Sequence, residues 1–212
     1  MPLRAAVAAS PETPSTRDVV LDAAERCFAD RGFAGVSTRE IAAAAGLKNQ
    51  ASLYHHFRDK GHLYEAVLAR GVKPIVVLVA EGAAGGTMDA VLDPLLAYLE
   101  EHPHLPRLIQ RAGLDDARPL RGTLARFLSP LYAQGLRAIA GSGRWAPADL
   151  PHVAAGLYHL IFGYFASAAL LELVTGQDPR SPDAVARQRR FLKAAIAQLL
   201  DELPLRREGS PP

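Results

Sequence analysis

The stretch between Lys48 and Lys60 concentrates side chains that donate hydrogen bonds or carry positive charge. A glutamine can hold an adenine edge through two hydrogen bonds, and a lysine pairs with phosphate as a point charge. Hydroxyl and imidazole groups add further donors to phosphate oxygens. Among the polar donors in this stretch are Lys48, Asn49, Gln50, Tyr54, His55, His56 and Lys60. Such chemistry suits contact with the backbone and base edges of a nucleic acid.

The sequence contains no comparable group of residues that suits catalysis or metal binding. The chain contains no G-x-S-x-G elbow, no Walker loop and no dinucleotide-binding glycine pattern. His55 and His56 are adjacent on a predicted helix, so they point about 100° apart and rarely share a metal ion. His102 and His104 lie in a proline-flanked loop without a carboxylate or thiolate cluster, which disfavours zinc or nickel sensing. We predict a chain that is not an enzyme and that holds neither cofactor nor metal.

Bulk composition is that of an ordinary globular protein. Of 212 residues, 49% are hydrophobic and 22% charged, and the net charge is only +2, so any case for nucleic-acid binding must rest on local charge. Cys27 is the sole cysteine, which excludes an internal disulfide and favours a reducing cytoplasm. Residues 1–15 lack the apolar core of a signal peptide and are expected to form a disordered arm.

Start and stop signals predict two helices before residue 47. Thr16 is a candidate N-cap of the first helix, and Gly32 ends it. Ser37 and Glu40 have the spacing of a capping box, which predicts the start of a short second helix. Gly46 follows that helix as a C′ glycine, the position where a left-handed conformation is needed.

Two more helices are predicted in the next stretch of chain. The third begins near Asn49 or Gln50, and Asp59 caps the fourth. Pro74 is expected to end or kink the fourth helix, because proline lacks a backbone N–H. The run Ile75–Val79 looks strand-like but has no partner strand, so we assign it to a buried helix.

The remainder of the chain also reads as helix, interrupted by breaks rich in proline and glycine. The breaks are Gly82–Thr87, Glu101–Pro106, Asp115–Pro119, Gly141–Pro151 and Gly176–Pro182. The two longest and most apolar segments are predicted at Pro151–Thr175 and Pro182–Leu203. The predicted fold class is all-α with about nine helices. The chain is predicted to divide into an N-terminal domain at 16–62 and a second domain at 63–203, to which the resemblance described below assigns DNA binding and ligand binding with dimerisation, respectively; a disordered tail is expected at 204–212.

Two short helices joined through Gly46 and the turn Leu47-Lys48-Asn49 form a helix-turn-helix pattern. The full set of positions resembles the DNA-binding domain of TetR-family regulators from Thr16 to about Tyr64. The residues that carry this resemblance are Thr16-Arg17, Ala23-Ala24, Phe28, Gly32-Phe33, Ser37-Thr38, Ile41-Ala42, Ala45-Gly46-Leu47, Leu53-Tyr54-His55-His56-Phe57, Lys60 and Leu63. Lys48 departs from the small hydroxyl residue common in the family, so Asn49 is expected to take over capping.

The resemblance implies a double-stranded DNA operator as partner and a role for each donor. Thr38, Tyr54, His56 and Lys60 are expected to contact phosphates, although Thr38 also reads as a simple cap, Tyr54 as core and Lys60 as a solvated lysine. Base readout is assigned first to Gln50, Arg39 and His55, with Lys48, Asn49 and Ala51 as further candidates.

A C-terminal pocket for an unknown, largely apolar small-molecule effector is also implied, since ligand sites combine apolar walls with a few polar groups. The candidate pocket residues are Tyr98, Arg107, Arg111, Phe127, Tyr158 and Phe162, each of which reads equally well as ordinary core. Ligand binding is expected to move the fourth helix and thereby change the spacing of two recognition helices.

A homodimer is expected because one half-site is small, and the last two long helices carry more apolar surface than one layer can hide. The predicted interface residues are Leu170, Leu171, Val174, Phe191, Leu192, Ala195, Ile196 and Leu199. The leading hypothesis is therefore a ligand-released repressor, with an activator or a regulator without effector as the next alternative. From another class, a membrane-associated or protein-interaction module stays open because Val153–Leu171 carries no charge, although we expect no membrane partner.

Overall fold

The computed structural model describes residues 15–85, 87–114 and 121–201, without the side chains of residues 88, 114, 121, 123, 124, 127, 138, 200 and 201. Within these ranges the chain forms ten α-helices and no strand, which confirms the all-α class with one helix more than expected. The helices are α1 (Thr16–Arg31), α2 (Thr38–Ala44), α3 (Ala51–Tyr54), α4 (Lys60–Ala84), α5 (Met88–Glu101), α6 (Leu105–Leu114), α7 (Arg121–Ala140), α8 (Leu150–Ala166), α9 (Ala168–Thr175) and α10 (Pro182–Asp201).

The cap of α1 lies one residue earlier than predicted. Ser15 is the N-cap, and its hydroxyl accepts a hydrogen bond from the Asp18 backbone N–H at 3.2 Å, whereas Thr16 is the first helical residue. The carboxylate of Asp18 then stands in the first turn, where the helix dipole favours negative charge. Gly32 ends the helix as predicted, with φ at 73°. Cys27 is half-buried and packs against the core.

Pro74 was predicted to end or kink the fourth helix, and the first alternative is wrong because α4 continues through this proline. Val72 and Ile75 are fully buried on either side of the proline, and α4 packs against α1, α5 and α7. This burial outweighs the loss of one backbone hydrogen bond. The helical assignment of Ile75–Val79 is confirmed. The predicted boundary between residues 62 and 63 falls inside α4, so this helix is common to both predicted domains.

Helices α5 and α7 of the second half of the chain pack against α4. A Cβ atom added to Gly82 would lie 2.5 Å from the Ala90 carbonyl oxygen, so glycine permits the close approach of α4 to α5. Predicted breaks at Gly82–Thr87, Glu101–Pro106, Gly141–Pro151 and Gly176–Pro182 all coincide with helix ends. The break at Asp115–Pro119, the arm before Ser15 and the tail at 204–212 lie outside the described residues.

The segment predicted as one helix over Pro151–Thr175 is two helices, which meet at Ser167 with a bend of 66°. Ser167 has φ −94° and ψ 11°, outside the helical values, so the helix axis bends there although the Ser167 N–H still donates to the Gly163 carbonyl at 2.9 Å. In the described ranges no single helix has the length and apolar character to cross a membrane, and only the bent pair α8 and α9 reaches them jointly.

Helix α10 is fixed to α5 by a row of ion pairs. Lys193 contacts Asp93 at 2.8 Å and Asp89 at 3.2 Å, and Arg189 contacts Glu100 at 2.8 Å. The neighbouring Leu192 and Ile196 are turned into the core and are 0% and 1% exposed.

Candidate nucleic-acid interface

The turn between α2 and α3 is built by local hydrogen bonds that the sequence predicted. Ser37 and Glu40 form the capping box at the start of α2, since the Ser37 hydroxyl accepts from the Glu40 N–H and the Glu40 carboxylate accepts from the Ser37 N–H. Gly46 has φ of 69°, the left-handed conformation predicted for it. The Leu47 N–H then donates to the Ala42 carbonyl at 2.9 Å, which closes the turn.

Asn49 supports the start of α3, the second helix of the helix-turn-helix and the candidate recognition helix. Its side-chain oxygen accepts from the Ser52 backbone N–H at 3.0 Å and from the Ser52 hydroxyl at 3.1 Å. The prediction that Asn49 takes over capping is confirmed by this geometry, although regular helix begins at Ala51.

The Gln50 amide joins the two short helices through hydroxyl groups. Its Nε2 donates to Thr38 Oγ1 at 2.6 Å and to the Tyr54 hydroxyl at 3.1 Å, and those two hydroxyls are 3.2 Å apart. Tyr54 is 47% exposed, so its assignment as a buried core residue is not supported. The structure therefore brings together a predicted base-reading residue and two predicted phosphate contacts.

Lys60 stands on an aromatic platform at the start of α4. Its Nζ lies 4.4 Å from the centroid of the Phe33 ring, where a cation is attracted to the π face. Partial burial lowers the pKa of Lys60 from its ordinary value. Phe33 in turn contacts Tyr64 edge-on at 5.2 Å, and Tyr64 contacts Phe28 at 4.9 Å. Sequence reasoning missed this platform, because nothing in the local pattern assigns Phe33 to a lysine.

An open concavity of about 560 Å³ lies between α2, the end of α3 and the start of α4. Its lining includes Ser37, Thr38 and Glu40 from the α2 side, together with Tyr54 and Lys60. Hydrogen bonds from Ser37 and Arg31 lower the pKa of the Glu40 carboxyl to about 2. The carboxylate is thus occupied by its own neighbours, and the concavity presents hydroxyls and an ammonium group that match a phosphate.

The other predicted DNA contacts lie on the exposed surface around the turn. Their placement suits access to a ligand, and their individual roles stay predictions. They are Arg39, Lys48, Asn49, Ala51, His55 and His56.

A second candidate site is an apolar cavity of about 270 Å³ bounded by α4, α5, α7, α8 and α10. Of the predicted pocket residues, Tyr158 and Phe162 line it, with ring centroids 5.0 Å apart. Phe127 lies in α7, and its side chain is outside the described residues. The aliphatic majority of the wall was missed because the prediction was based on aromatic residues.

Three predicted pocket residues are placed elsewhere. The Tyr98 hydroxyl donates to the Gly71 carbonyl at 3.1 Å, and burial raises the pKa of Tyr98 to about 12. Arg107 pairs with Asp30 of α1. Arg111 lies on α6, which contributes no residue to the cavity wall in the described part of the chain.

The predicted dimer residues separate into two groups. Leu192 and Ile196 are buried in the core of this chain, so they are unavailable to a partner and their assignment is corrected. Leu170, Val174 and Phe191 are 59%, 67% and 54% exposed, and Leu173, on the same apolar helix as Leu170 and Val174, is 80% exposed. Leu171, Ala195 and Leu199 are half-buried.

No group of three or more histidine, cysteine, aspartate or glutamate side chains suited to a metal ion occurs in the described ranges. The site chemistry is consequently that of hydrogen-bond donors, one supported lysine and an apolar cavity.

Comparison with known proteins agrees with this geometry. The family described as bacterial regulatory proteins, tetR family, matches residues 20–67. The HTH-type transcriptional repressor AcnR of Corynebacterium diphtheriae is 31% identical over 99 residues, which cover 47% of this chain and 50% of AcnR. This chain therefore spans about half the length of that relative.

Two longer matches cover most of the chain. The nucleoid occlusion factor SlmA of Aliivibrio fischeri is 30% identical over 168 residues, which cover 74% of this chain and 85% of SlmA. A transcriptional regulator of the TerR/AcrR family from Aquifex aeolicus superposes with a TM-score of 0.61 at 17% identity, covering 87% of this chain and 99% of that one. A family of regulators agrees with the expectation that the chain is not an enzyme. The matched residues, the helical fold and the helix-turn-helix geometry together establish that this chain belongs to the TetR family of bacterial regulatory proteins.

Proposed function

We propose that this protein is a sequence-specific DNA-binding transcriptional repressor that acts as a homodimer in the bacterial cytoplasm. The observation that carries the proposal is the concavity where Thr38, Tyr54 and Lys60 meet beside the recognition helix. Phosphate contacts set register and affinity, and residues on the adjacent helix then reach base edges in the major groove. The names of relatives such as AcnR, a transcriptional repressor, support repression over activation.

The exposed donors around the concavity extend this surface. Arg39 is exposed on α2 and Lys48 is exposed in the turn, and Gln50 follows Lys48 two residues later. Positive charge placed locally attracts DNA even though the whole chain has a net charge of only +2. The observed Gln50 hydrogen bonds describe the protein without DNA, so base readout requires the amide to turn away from Thr38.

Helix α4 connects the cavity with the concavity at the DNA-binding end of the chain. Val79 lines the cavity and Lys60 lines the concavity, and both belong to this one helix. At about 1.5 Å rise per residue the two positions lie about 28 Å apart. A small-molecule effector that favours a shifted α4 therefore moves the DNA-binding end as well, which changes the spacing of two half-site readers that must stay about 34–36 Å apart.

A gel-shift titration of the full chain against DNA flanking its own gene tests the proposal. We expect a discrete complex at nanomolar protein that survives excess nonspecific competitor, as specific binding is about 10³-fold or more tighter than nonspecific binding. Absence of any complex at low ionic strength would refute the function, because electrostatic attraction is strongest there.

Replacing Lys60 with alanine is expected to weaken binding to all DNA sequences alike. A lysine on phosphate contributes no sequence information, and its loss reduces the slope of log affinity against log salt by about one. Fluorescence anisotropy at several salt concentrations measures both effects. An unchanged slope would exclude a phosphate contact, and Lys73→Ala, at an exposed α4 position, serves as the matched control.

Replacing Gln50 with alanine is expected to relax the preference at one base position by about 1–3 kcal/mol. The reason is that a bidentate amide–adenine pair disappears, whereas phosphate contacts remain. Binding-site selection with wild-type and variant protein measures the change. Should the variant weaken every sequence equally, Gln50 would act only by positioning Thr38 and Tyr54, to which it donates.

A further inference from the structure

The cavity wall is apolar to an unusual degree. Within the described part of the chain its side chains are aliphatic or aromatic and none is charged. The arginines predicted as pocket anchors do not reach it, since Arg107 is paired with Asp30 and Arg111 belongs to α6. The aliphatic wall includes Leu92, Leu95, Leu128, Leu131, Leu157 and Ile161.

Two tyrosines belong to the wall, and they differ in whether their hydroxyl bonds to another described residue. Tyr132 is 43% exposed, and its hydroxyl donates to the Pro151 carbonyl at 3.2 Å, which joins α7 to α8. The Tyr158 hydroxyl has no hydrogen-bond partner among the described residues, while its ring stacks on Phe162. Burial raises the pKa of Tyr158, so the group stays protonated and can donate a hydrogen bond.

The cavity volume indicates the size of the part of a ligand that the wall surrounds. A closed apolar cavity of about 150 Å³ holds benzene, with six carbon atoms. By proportion, 270 Å³ suits a compact molecule of about ten to twelve non-hydrogen atoms. Ionised groups are excluded because an unpaired charge loses its hydration on entry and gains nothing from an apolar wall.

We propose that the cavity binds an uncharged, predominantly apolar molecule, of bicyclic or comparable hydrocarbon size, with at most one hydrogen-bonding group directed to Tyr158. That this molecule is the effector rests on the proposed function, whereas the class of ligand follows from the wall itself. Carboxylates and organic cations of the same size are rejected.

Three probes of equal ring size test the class of ligand. Naphthalene, 2-naphthol and 2-naphthoate share one hydrocarbon frame and differ in having no polar group, a hydroxyl or a carboxylate. Calorimetric titration of the full chain is expected to give one site for the two neutral probes, with 2-naphthoate at least about 100-fold weaker. 2-Naphthol is expected to bind about fivefold more tightly than naphthalene, and Tyr158→Phe removes this difference.

Filling variants locate the binding. Gly135 lines the cavity, and a Cβ atom added there meets nothing within 4 Å, so Gly135→Leu has room to occupy the space. Gly122 is an exposed glycine on the same helix α7, also without neighbours within 4 Å of a Cβ, and Gly122→Leu is the matched control. Ala154→Leu fills the cavity from the α8 side as a second variant. We expect both filling variants to lose the neutral probes and the control to keep them.

Each contrary result overturns the proposal. These are failure of both neutral probes to bind up to their solubility, neutral binding that survives both filling variants, or 2-naphthoate binding within tenfold of 2-naphthol. The gel shift is measured on the same preparations without probe. A chain that binds 2-naphthol but no DNA would refute the repressor function and leave the ligand class standing, and the reverse pattern would refute only the ligand class.

Discussion

Replacing Leu173 with glutamate is expected to convert the protein to a monomer and to lower operator affinity by about a thousandfold. A dimer joins two half-site readers, and a monomer retains only the contacts of one, so its affinity falls towards the nonspecific range. Leu173 is 80% exposed in the single chain and belongs to α9 with Leu170 and Val174, which are also exposed. Leu170 lies three residues before Leu173 and four before Val174, so it links the two on one side of α9, and a carboxylate at position 173 enters this apolar patch.

The exposure of Leu173 makes this result interpretable. A substitution at a solvent-exposed helix position typically changes monomer stability by no more than about 0.5 kcal/mol, so the folded chain persists. Burying an unpaired carboxylate between two subunits, by contrast, costs several kcal/mol. Light scattering at micromolar concentration and anisotropy on an operator fragment measure the two effects.

Val77→Glu provides the matched control for Leu173→Glu. Val77 is 51% exposed on α4 and lies outside the predicted interface, so the same change of side chain tests charge alone. We expect this control to remain dimeric and to bind DNA with wild-type affinity. A Leu173→Glu protein that stays dimeric would show that α9 is not the interface. A monomeric variant with undiminished operator affinity would show that DNA binding does not require a dimer.

Features determined by neighbouring residues were accessible from the sequence. The Ser37–Glu40 capping box, the left-handed Gly46 and the Asn49 cap each involve atoms within a few positions of one another. Their geometry depends on residues close in sequence rather than on tertiary packing, which is why the helix-turn-helix prediction agrees with the structure so closely.

Features determined by packing were not accessible. Proline at position 74 predicts a helix end locally, yet burial of Val72 and Ile75 retains the helix. Leu192 and Ile196 form an apolar stripe that is compatible with either an interface or a core, and the packing of α10 against α5 and α8 buries it. Apolar spacing identifies a buried face without naming what buries it.

The ligand cavity illustrates the same limit. The sequence offered Tyr98, Arg107 and Tyr158 as equally good candidates for the pocket. Helix packing places Tyr98 against the α4 backbone and Arg107 against α1, and only Tyr158 of these three lines the cavity. Which polar groups converge depends on the crossing of helices far apart in sequence. The absence of charge from the described part of the wall, the basis of the inferred ligand class, therefore emerged only from the fold.

Replacing Tyr64 with alanine is expected to lower the free energy of unfolding by about 3–5 kcal/mol, the range for removing a buried aromatic ring. Tyr64 is 1% exposed and contacts both Phe28 and Phe33 edge-on. Chemical denaturation at one fixed protein concentration measures the loss, since the stability of a dimer depends on concentration. Tyr64→Phe keeps the ring and is the control, for which we expect a loss of about 1 kcal/mol or less from the hydroxyl.

The Tyr64 variant also links the core to the DNA contact. Lys60 and Tyr64 are one helical turn apart on α4, and both contact Phe33, from which Lys60 obtains its position beside the concavity. Removing the tyrosine ring frees Phe33 to move, so the ammonium group loses its platform. At a temperature where Tyr64→Ala remains folded, we therefore expect it to bind every DNA sequence more weakly, as Lys60→Ala does. The loss of affinity in the double variant should be little greater than the loss in either single variant. Independent, additive losses would mean that the aromatic cluster only stabilises the fold, and that Lys60 reaches phosphate without it.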